Sequence, residues 1–442
     1  MRRNSPSSYR ATARPASSRA TTRSTTCTWS CRCASRSTCR QHGAVLFRDG
    51  VVRCHLAPNN PVPEENSGKT DGERGPVGIF ARTLTAQNYR SYISFELALD
   101  EGVTVLVGPN AAGKTNLVEA IQLLTAGQSF RRPSPVDLVH DGATRAQASL
   151  RLEGDGRLVD IGLTSERGRR SFTKNGKRVT ASGVRGILPS VLFCPDHLDM
   201  VKRSASVRRA ALDDFGVQLN ESYAQLVSSY ERTLEQRNNL LKDRFTSRDL
   251  LAAWDDALVS AGAAVLVHRI ALLERVRTRL IEAYRTIAPR ETIDVRYRAS
   301  IGGITADEAK DRDAVMTRIA DALAETADEE ARRGLTLVGP HRDEIVFMID
   351  GRDARSFASQ GQQRSLVLAW KIAEVEVTQD ILGRYPILLL DDVMSELDER
   401  RREAIMQLIA GEIQTVITTT NLGYFSSDIL DSAKVVHIGE AV

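Results

Sequence analysis

The alternation of apolar and polar residues divides the chain into a strand-rich first part, a helical middle and a mixed last part. Short apolar runs with strand periodicity begin at Val77. They predict strands over residues 79–84, 91–99, 103–107, 146–153 and 157–164. A hairpin is predicted next over residues 171–180, because its Asn175-Gly176 pair favours a type I′ turn.

Longer helical patterns follow the hairpin. Amphipathic patterns over about 206–243 and 249–288 predict two helices packed against each other. The remaining predictions are strands at 292–298, 335–338, 344–350, 387–390 and 416–419, and helices near 305–334 and at 361–381. We therefore expect an α/β domain built from residues 79–205 and 335–442, with a mainly helical second lobe at 206–334.

A glycine-rich loop follows the strand predicted at 103–107. It consists of Gly108, Pro109, Asn110, Ala111, Ala112, Gly113, Lys114 and Thr115, and a helical pattern begins directly after it. Strand, loop and helix in this order predict a phosphate loop, where backbone N–H groups and a helix N-terminus face phosphates. Lys114 would reach the β- and γ-phosphates and the Thr115 hydroxyl would bind Mg²⁺. The alternative is a glycine-rich turn without a ligand.

The apolar run 387–390 leads directly into Asp391 and Asp392. A run of this kind is typical of a parallel strand that is covered on both faces, and ligands bind at the C-terminal ends of such strands. Asp391 would hold Mg²⁺, and Asp392 would orient the attacking water. The alternative is a strand that ends in an exposed acidic turn.

A third motif lies between these two. Ser359, Gln360, Gly361 and Gln362 open a predicted helix, and Ser359 on its own is compatible with a simple helix cap. In order with the other motifs, these four residues resemble the signature segment of ABC-type ATPase heads. The resemblance implies that they contact the γ-phosphate held by the opposite subunit. Residues 395–398 stand where such heads carry the D-loop.

The whole series of motifs is similar to that of the RecF family, bacterial recombination mediators related to SMC proteins. The matching segments are residues 88–92, 108–121, 129–132, 193–202, 208–209, 212–213, 339–343, 359–363, 389–393, 395–398 and 418–421. The chain departs from the family pattern at two places. Residues 203–206 lack the glycine and proline that the family tends to have there, and Ala211 stands where an aromatic residue is usual.

This resemblance implies a P-loop NTPase fold of the ABC-ATPase head type, with ATP and Mg²⁺ as cofactors. It implies an ATP-dependent homodimer that binds gapped DNA at single-strand–double-strand junctions, cooperates with a RecR-like partner and helps to load RecA. We expect ATP to act mainly as a dimerisation switch. Hydrolysis should be slow, because residues 418–421 stand where ABC transporters usually carry a histidine.

Spacing separates the related classes of ATPase. Only 243 residues lie between Thr115 and Ser359, which is too few for the long coiled coil of an SMC protein, and this insertion fits a transporter head poorly. Two alternatives remain open. One is another SMC-related DNA ATPase, such as an overcoming-lysogenization-type protein with a nuclease domain. The other is a nucleotide-dependent DNA-binding module without significant turnover.

The net charge of +4 is not evidence that the body of the protein binds DNA, because the charge is distributed unevenly along the chain. Residues 1–54 contain eleven arginines and one acid, whereas residues 55–442 contain 49 basic and 55 acidic side chains. We interpret residues 1–78 as an extension and linker that cannot order themselves, with translation starting near residue 79; an organelle transit peptide is the alternative.

Cysteine use and hydropathy bear on the location of the protein. Five of the six cysteines lie in residues 1–54, and a body that contains only Cys194 suits a reducing cytoplasm. We expect no apolar stretch to reach the length of a membrane span.

A local basic cluster is the candidate DNA surface. Residues 167–209 contain eleven Lys/Arg against Asp196 and Asp199. The candidate contacts are Lys174, Lys177, Arg178, Arg208 and Arg209. We expect them to bind phosphates independently of sequence. The alternative is a solvated charged surface.

Overall fold

Two β-sheets with a helix between them organise the part of the chain that the computed structural model describes, residues 78–243 and 248–439. The arginine-rich segment, the linker before residue 78 and the interpretation of residue 79 as the translation start concern a region outside the described residues.

The strands in the described ranges are β1 (Ile79–Tyr89), β2 (Tyr92–Ala98), β3 (Val103–Val107), β4 (Arg145–Gly154), β5 (Arg157–Glu166), β6 (Arg169–Lys174), β7 (Lys177–Val179), β8 (Ser190–Phe193), β9 (Ile293–Arg298), β10 (Glu344–Ile349), β11 (Arg352–Asp353), β12 (Ile387–Asp391), β13 (Thr415–Thr419) and β14 (Lys434–His437). The α-helices are α1 (Lys114–Ala126), α2 (Ala205–Leu219), α3 (Glu221–Lys242), α4 (Arg248–Ile287), α5 (Arg312–Arg333), α6 (Ala354–Phe357), α7 (Gln360–Leu382), α8 (Glu399–Ile409) and α9 (Ser427–Ser432).

A five-stranded parallel sheet forms the centre, in the order β14-β3-β13-β12-β8. Every residue of β3, β8, β12 and β13 is buried, as the apolar run of β12 predicted. Alternate side chains enter two different cores. Leu388 and Leu390 face α4 and α7, whereas Ile387 and Leu389 face α1 and the second sheet. The sheet draws β3 and β8 from residues 79–205 and its other strands from 335–442.

The second sheet is antiparallel, in the order β2-β1-β4-β5-β6-β7. Leu84, Leu150 and Ile161 on its inner face pack against α1, so α1 is enclosed between the two sheets. The β1–β2 turn lies beside the phosphate loop, and the β6–β7 hairpin lies at the opposite edge. Five strand spacings separate these edges, about 24 Å.

The helical lobe is not a separate body. A three-stranded sheet, β11-β10-β9, pairs one strand from residues 206–334 with two from 335–442. The first core also extends from the central sheet through α2, α4 and α7. The boundary predicted at residue 334 is therefore wrong as a domain boundary, because a sheet and a core cross it.

The single helix predicted over 206–243 is in fact two helices. Asn220 separates α2 from α3, and its side-chain oxygen accepts hydrogen bonds from the N–H groups of Ser222 (2.9 Å) and Tyr223 (3.3 Å). This is a helix N-cap, which the apolar periodicity alone does not reveal.

The strand predicted at 335–338 is also wrong. Thr336 there is held by a side chain, because Asn238 Oδ1 accepts from its N–H (2.7 Å) and from its hydroxyl (2.8 Å). The segment is thus fixed against α3 without joining a sheet.

Helix α4 has the length and apolarity of a membrane span, with a mean hydropathy of 1.6 in its most apolar window. The expectation that no stretch reaches this length is wrong for this helix. Its apolar side chains nevertheless fill two cores. Val276 and Leu280 pack in the core beneath the central sheet, and Val265 and Leu266 pack with α3 and α5.

His341 has a structural role in the helical lobe. Its Nδ1 accepts a hydrogen bond from the Tyr230 hydroxyl (2.7 Å), and its Nε2–H donates to the Thr336 carbonyl (3.1 Å). Arg342 donates to the same carbonyl (2.9 Å). Burial lowers the pKa of His341 to about 4, so the ring is neutral at physiological pH.

We predict that His341 makes the protein acid-sensitive. Its pKa is about 4 when folded, against about 6.5 in an unfolded chain, so only the unfolded state gains the proton as the pH falls between these values. The stabilisation is complete above pH 6.5 and should fall by about 2 kcal/mol at pH 5. Chemical denaturation of His341→Gln, which keeps a donor and an acceptor, should show this pH dependence removed. An unchanged difference between the two proteins from pH 7.5 to 5 would contradict it.

Candidate functional site

The phosphate loop (residues 108–115) joins β3 to α1, and its two glycines lie where other structure crowds the backbone. A Cβ atom on Gly108 would come within 2.1 Å of the Ile438 carbonyl oxygen. Gly113 has a φ of +100°, and a Cβ there would lie 2.7 Å from the Tyr92 hydroxyl. The loop is therefore confined on one side by Ile438, directly after β14, and on the other side by Tyr92, which follows the β1–β2 turn.

Lys114 lies inside the curl of this loop. The side chain is 6% exposed, and Nζ donates to the carbonyls of Gly108 (2.8 Å) and Pro109 (2.9 Å). Asn110 and Ala111 at the tip are exposed, and Ala111 has a left-handed φ of 64°. Ala112 donates its N–H to the Pro109 carbonyl (3.3 Å). The loop thus places a buried cation beside an exposed turn at the N-terminus of α1.

Asp391 connects three elements at the C-terminal edge of the central sheet. Its Oδ1 accepts hydrogen bonds from the hydroxyls of Thr115 (2.9 Å) and Thr418 (2.8 Å). Strand β13 lies between β3 and β12, so the ends of the three strands bring these side chains together. Burial raises the pKa of the Asp391 carboxyl, although both hydroxyls favour the ionised form.

Asp392 occupies a left-handed backbone conformation with a φ of 53°. Such a conformation costs on the order of 1–3 kcal/mol in a residue other than glycine. The Asp392 N–H donates to the Thr418 hydroxyl (2.9 Å), which holds the turn. Burial raises the pKa of Asp392, while the charge of Lys114 opposes this shift. The result is a half-buried carboxylate next to Lys114, with enhanced basicity toward a water molecule.

The Thr115 hydroxyl and the Asp391 carboxylate fit Mg²⁺, which prefers oxygen ligands and is commonly held by one or two protein groups together with substrate phosphates. The burial that raises the pKa of Asp391 is the condition in which a bound cation stabilises the ionised form most. Within residues 78–243 and 248–439, no group of three or more His, Cys, Asp or Glu side chains forms a metal cage.

A buried carboxylate fixes the helix that carries this loop. Glu119 on α1 has an exposure of 0%, and Arg90 pairs with both of its oxygens (2.8 and 2.9 Å). The Ser129 hydroxyl donates to Oε1 (2.7 Å) and the Tyr89 hydroxyl to Oε2 (3.4 Å). The Glu119 cluster (Tyr89, Arg90, Glu119 and Ser129) therefore ties the β1–β2 turn and the segment after α1 to one side chain.

These four residues lie within the segments that resemble the RecF family, but the sequence alone assigns them no role. A signal was present, since Glu119 is a charged residue within the run Leu117 to Leu124, whose other members are mostly apolar. A charge on the buried face of a helix requires a partner, and the partner cannot be identified from one sequence. The bridging role of the Thr418 hydroxyl was missed in the same way.

The signature segment (residues 359–362) does not join the phosphate loop within the chain. Ser359 and Gln362 form a capping box, in which the Ser359 hydroxyl accepts from the Gln362 N–H (3.2 Å) and the Gln362 side chain accepts from the Ser359 N–H (2.9 Å). Ser359 and Gln360 are exposed, and Gly361 and Gln362 are half-buried. Among the described residues, no hydrogen bond links this segment to residues 108–115.

The predicted basic hairpin is present as β6 and β7. Lys177 and Arg178 are exposed, Lys174 is half-buried, and none of the three forms an ion pair within the described ranges. Phe172 is 5% exposed and packs in the second core, so it is unavailable for stacking on bases. The hairpin presents unpaired positive charge at the sheet edge far from the phosphate loop.

Arg208 does not belong to that surface, and its prediction as a DNA contact is wrong. The side chain is 3% exposed and pairs with both oxygens of Glu344 (2.9 Å each). It also donates to the carbonyls of Met200 (3.2 Å) and Val201 (2.8 Å). Its partners are thus all internal, and it joins α2 to β10.

Arg209 is half-buried and donates to the Asp343 carbonyl. Burial lowers the pKa of its guanidinium, and the nearby Arg269 adds to the effect. It lines a cleft of about 620 Å³ beside α2 and α3, so its side chain remains partly accessible and its role as a DNA contact stays a prediction.

A known protein family matches most of the described chain. The family described as RecF/RecN/SMC N-terminal domain matches residues 80–437. Curated relatives of high similarity carry the description "DNA replication and repair protein RecF". The relative from Gloeobacter violaceus is 38% identical over 367 residues, covering 81% of this chain and 97% of the relative. The relative from Symbiobacterium thermophilum is 38% identical over 353 residues, covering 78% and 92%.

Solved structures agree with the sequence relatives. The structure described as the recombination mediator RecF with ATPrS in the RecFOR pathway matches with a TM-score of 0.74 and 29% identity, covering 79% of this chain and 95% of that one. The corresponding structure with ATP matches with a TM-score of 0.72 and 30% identity, covering 78% and 94%. The predicted ABC-ATPase head fold is confirmed.

The Glu119 cluster generates a prediction about stability. Arg90→Met would leave the Glu119 carboxylate buried without its cation, so we expect a loss of about 3–5 kcal/mol in the free energy of unfolding. The double variant Arg90→Met/Glu119→Leu should recover most of it. Arg82→Met is the control, because the side chains of its acidic partners Glu101 and Glu153 are 37% and 52% exposed, and it should cost less than about 1 kcal/mol. Equal losses in both single variants would refute a special role for Glu119.

Thr418 generates a prediction about the metal. Thr418→Val keeps the shape but removes the hydroxyl that orients Asp391, so the apparent Mg²⁺ affinity in nucleotide binding should fall roughly 10- to 100-fold. Calorimetric nucleotide titrations at several Mg²⁺ concentrations measure this. Thr418→Ser retains the hydroxyl and should behave like the parent protein. Normal Mg²⁺ dependence in the valine variant would show that Thr115 alone positions Asp391.

Proposed function

The chain belongs to the RecF family, within the RecF/RecN/SMC N-terminal domain group, and from this premise we propose that it is an ATP-dependent DNA-binding protein of recombinational repair and replication. The observation that carries the proposal is the Thr115–Asp391–Thr418 arrangement beside the buried Lys114, at the end of a parallel sheet. The similarity to RecF structures with ATP and ATPrS supports ATP as the nucleotide.

Each ATP site is composed of two subunits in this proposal. The exposed N-terminus of α7 is suited to bind an anion, because the helix dipole favours negative charge there. Within the part of one chain that the structure describes, this helix end has no hydrogen bond to the phosphate loop. A second copy would bring its signature segment to the γ-phosphate held by Lys114. ATP would then link the two subunits of a homodimer.

Hydrolysis would then release the dimer. Asp392, with its raised pKa beside Lys114, is placed to orient the attacking water, and Thr115 and Asp391 would hold Mg²⁺ on the phosphates. Turnover should be slow, because Thr418 hydrogen-bonds both aspartates and stands in the region where transporters usually carry a histidine. The protein would act as a switch with weak ATPase activity.

DNA would bind through phosphate contacts on the basic hairpin. Its unpaired charges and the lack of an accessible aromatic side chain favour binding that is independent of sequence. Family membership supports gapped DNA, a RecR-like partner and loading of RecA as the setting, in the cytoplasm. The RecFOR pathway in the descriptions of the two matched structures supports the same setting.

We predict that Ser359→Arg separates nucleotide binding from dimerisation. The added side chain would block the N-terminus of α7, while the phosphate loop remains intact. Size-exclusion chromatography with light scattering should show the parent protein dimerising with ATP and Mg²⁺ and the variant remaining monomeric, with ATP affinity within about twofold.

Asp392→Asn is the companion variant. It retains the turn but loses the basic carboxylate, so the ATP-bound dimer should persist instead of decaying. A parent protein that stays monomeric with ATP would refute the composite site. Unchanged dimer lifetime in Asp392→Asn would favour the alternative of a nucleotide-dependent module without significant turnover.

The hairpin generates a prediction about DNA. Lys174→Ser/Lys177→Ser/Arg178→Ser should weaken DNA binding and reduce the slope of log affinity against log salt by up to about 3, one unit for each lost phosphate contact. Fluorescence anisotropy at several salt concentrations measures both quantities. A matched control replaces three exposed arginines of the helical lobe, Arg275, Arg285 and Arg332, by serine. Equal effects in both triple variants would indicate only the loss of total charge.

A further inference from the structure

One arginine side chain connects the signature segment to the D-loop segment (residues 395–398) of the same chain. Arg401 lies in the first turn of α8, and its side chain is 17% exposed. Nη2 donates to the Gly361 carbonyl (2.6 Å), Nε donates to the Ser365 hydroxyl (2.9 Å), and Nη1 pairs with the Asp398 carboxylate. All three guanidinium nitrogens are therefore engaged, two with the start of α7 and one with the D-loop segment.

This contact is close and specific. A Cβ atom on Gly361 would lie 3.2 Å from Arg401 Nη2, so glycine at this position leaves room for the guanidinium over the turn. A cation near a helix N-terminus opposes the helix dipole, so it needs hydrogen bonds and a carboxylate to be stable there. Asp398 provides that carboxylate and also caps α8, since its Oδ1 accepts from the Arg401 N–H (3.0 Å).

A second link between the two segments is weaker. Arg364 on α7 pairs with Glu396 at 3.0 Å, but both side chains are about 40% exposed, at 39% and 42%. Exposed pairs of this kind contribute little and are screened by salt. The half-buried bonds of Arg401 therefore dominate the connection.

We propose that Arg401 is a positioning residue that fixes the signature segment to the D-loop segment, so that both move as one unit when the two ATP sites form and open. The inference rests on the proposed composite site. The signature segment of one subunit serves the nucleotide of the other, so Arg401 acts in trans. Its loss would impair the partner's ATP site and leave the phosphate loop of its own chain intact.

The first experiment compares two neighbouring arginines of α8. Arg401→Gln should reduce ATP-driven dimerisation roughly tenfold or more, because it removes charge-assisted hydrogen bonds, while ATP binding to the monomer stays within about twofold. Arg400→Gln removes the same charge from an exposed position and should match the parent protein. Should Arg401→Gln lower the melting temperature markedly, Ser365→Ala removes only the Nε contact and should show a smaller effect in the same direction.

Mixing two inactive variants tests the action in trans. In the first mixture, Arg401→Gln is combined with Lys114→Ala. The Arg401→Gln subunit contributes its intact phosphate loop, and the Lys114→Ala subunit contributes an intact signature segment to it. One working ATP site therefore forms, and ATP-dependent dimerisation is partly restored. In the second mixture, Arg401→Gln is combined with Ser359→Arg. The signature segments of both subunits are then impaired, so no intact ATP site forms and dimerisation is not restored. A residue that merely supports folding would give no such difference between the two mixtures.

The opposite pattern, with restoration by Ser359→Arg and none by Lys114→Ala, would overturn the inference by placing Arg401 in its own subunit's ATP site. Parent-like dimerisation of Arg401→Gln would overturn it too. The proposed function fails separately if the parent protein does not dimerise with ATP.

Discussion

The buried carboxylate of Glu119 is the constraint on which the nucleotide site depends. An ionised group with no exposure must be matched by a cation and hydrogen bonds, and Arg90, Ser129 and Tyr89 provide them. These partners lie on two chain segments on either side of α1. Satisfying one charge therefore fixes the angle of α1, and with it the phosphate loop from which α1 begins. The β1–β2 turn held in this way also supplies the Tyr92 hydroxyl that confines Gly113.

The central sheet supplies the other half of the geometry. Parallel strands covered on both faces end at a common edge, and the order β3-β13-β12 places Thr115, Thr418 and Asp391 within hydrogen-bond distance although 276 positions separate Thr115 from Asp391. The strained turn at Asp392 stands at the same edge and is retained by bonds to Thr418. Strain held by neighbouring bonds is a common feature of functional sites, since it aims a side chain that a relaxed turn would direct elsewhere.

The sequence predicted the elements whose signals are local. The phosphate loop, Asp391 and most core strands follow from runs of residues that carry their own periodicity or turn chemistry. Strands β8 and β14 were missed, because four-residue runs such as 434–437 acquire strand character only from the neighbours they pair with. The sequence also failed to predict the helix break at Asn220 and the internal role of Arg208, for a related reason. A cap and a buried ion pair are defined by partners distant in sequence or by the local turn, and charge alone does not distinguish a surface arginine from a buried one.

The distance between the phosphate loop and the basic hairpin constrains the proposed control of DNA binding by ATP. The phosphate loop adjoins the β2 side of the six-stranded sheet, whereas the hairpin forms the β7 edge, about 24 Å away. Within the described ranges, β1, β4, β5 and β6 lie between the two and pair strand to strand, with one register shift between β1 and β4. A packed sheet of this kind transmits rotation of a whole body better than a local shift. In the proposed function, ATP would therefore act on DNA through the relative placement of two subunits, with the hairpins of both copies brought to one duplex when the nucleotide joins them.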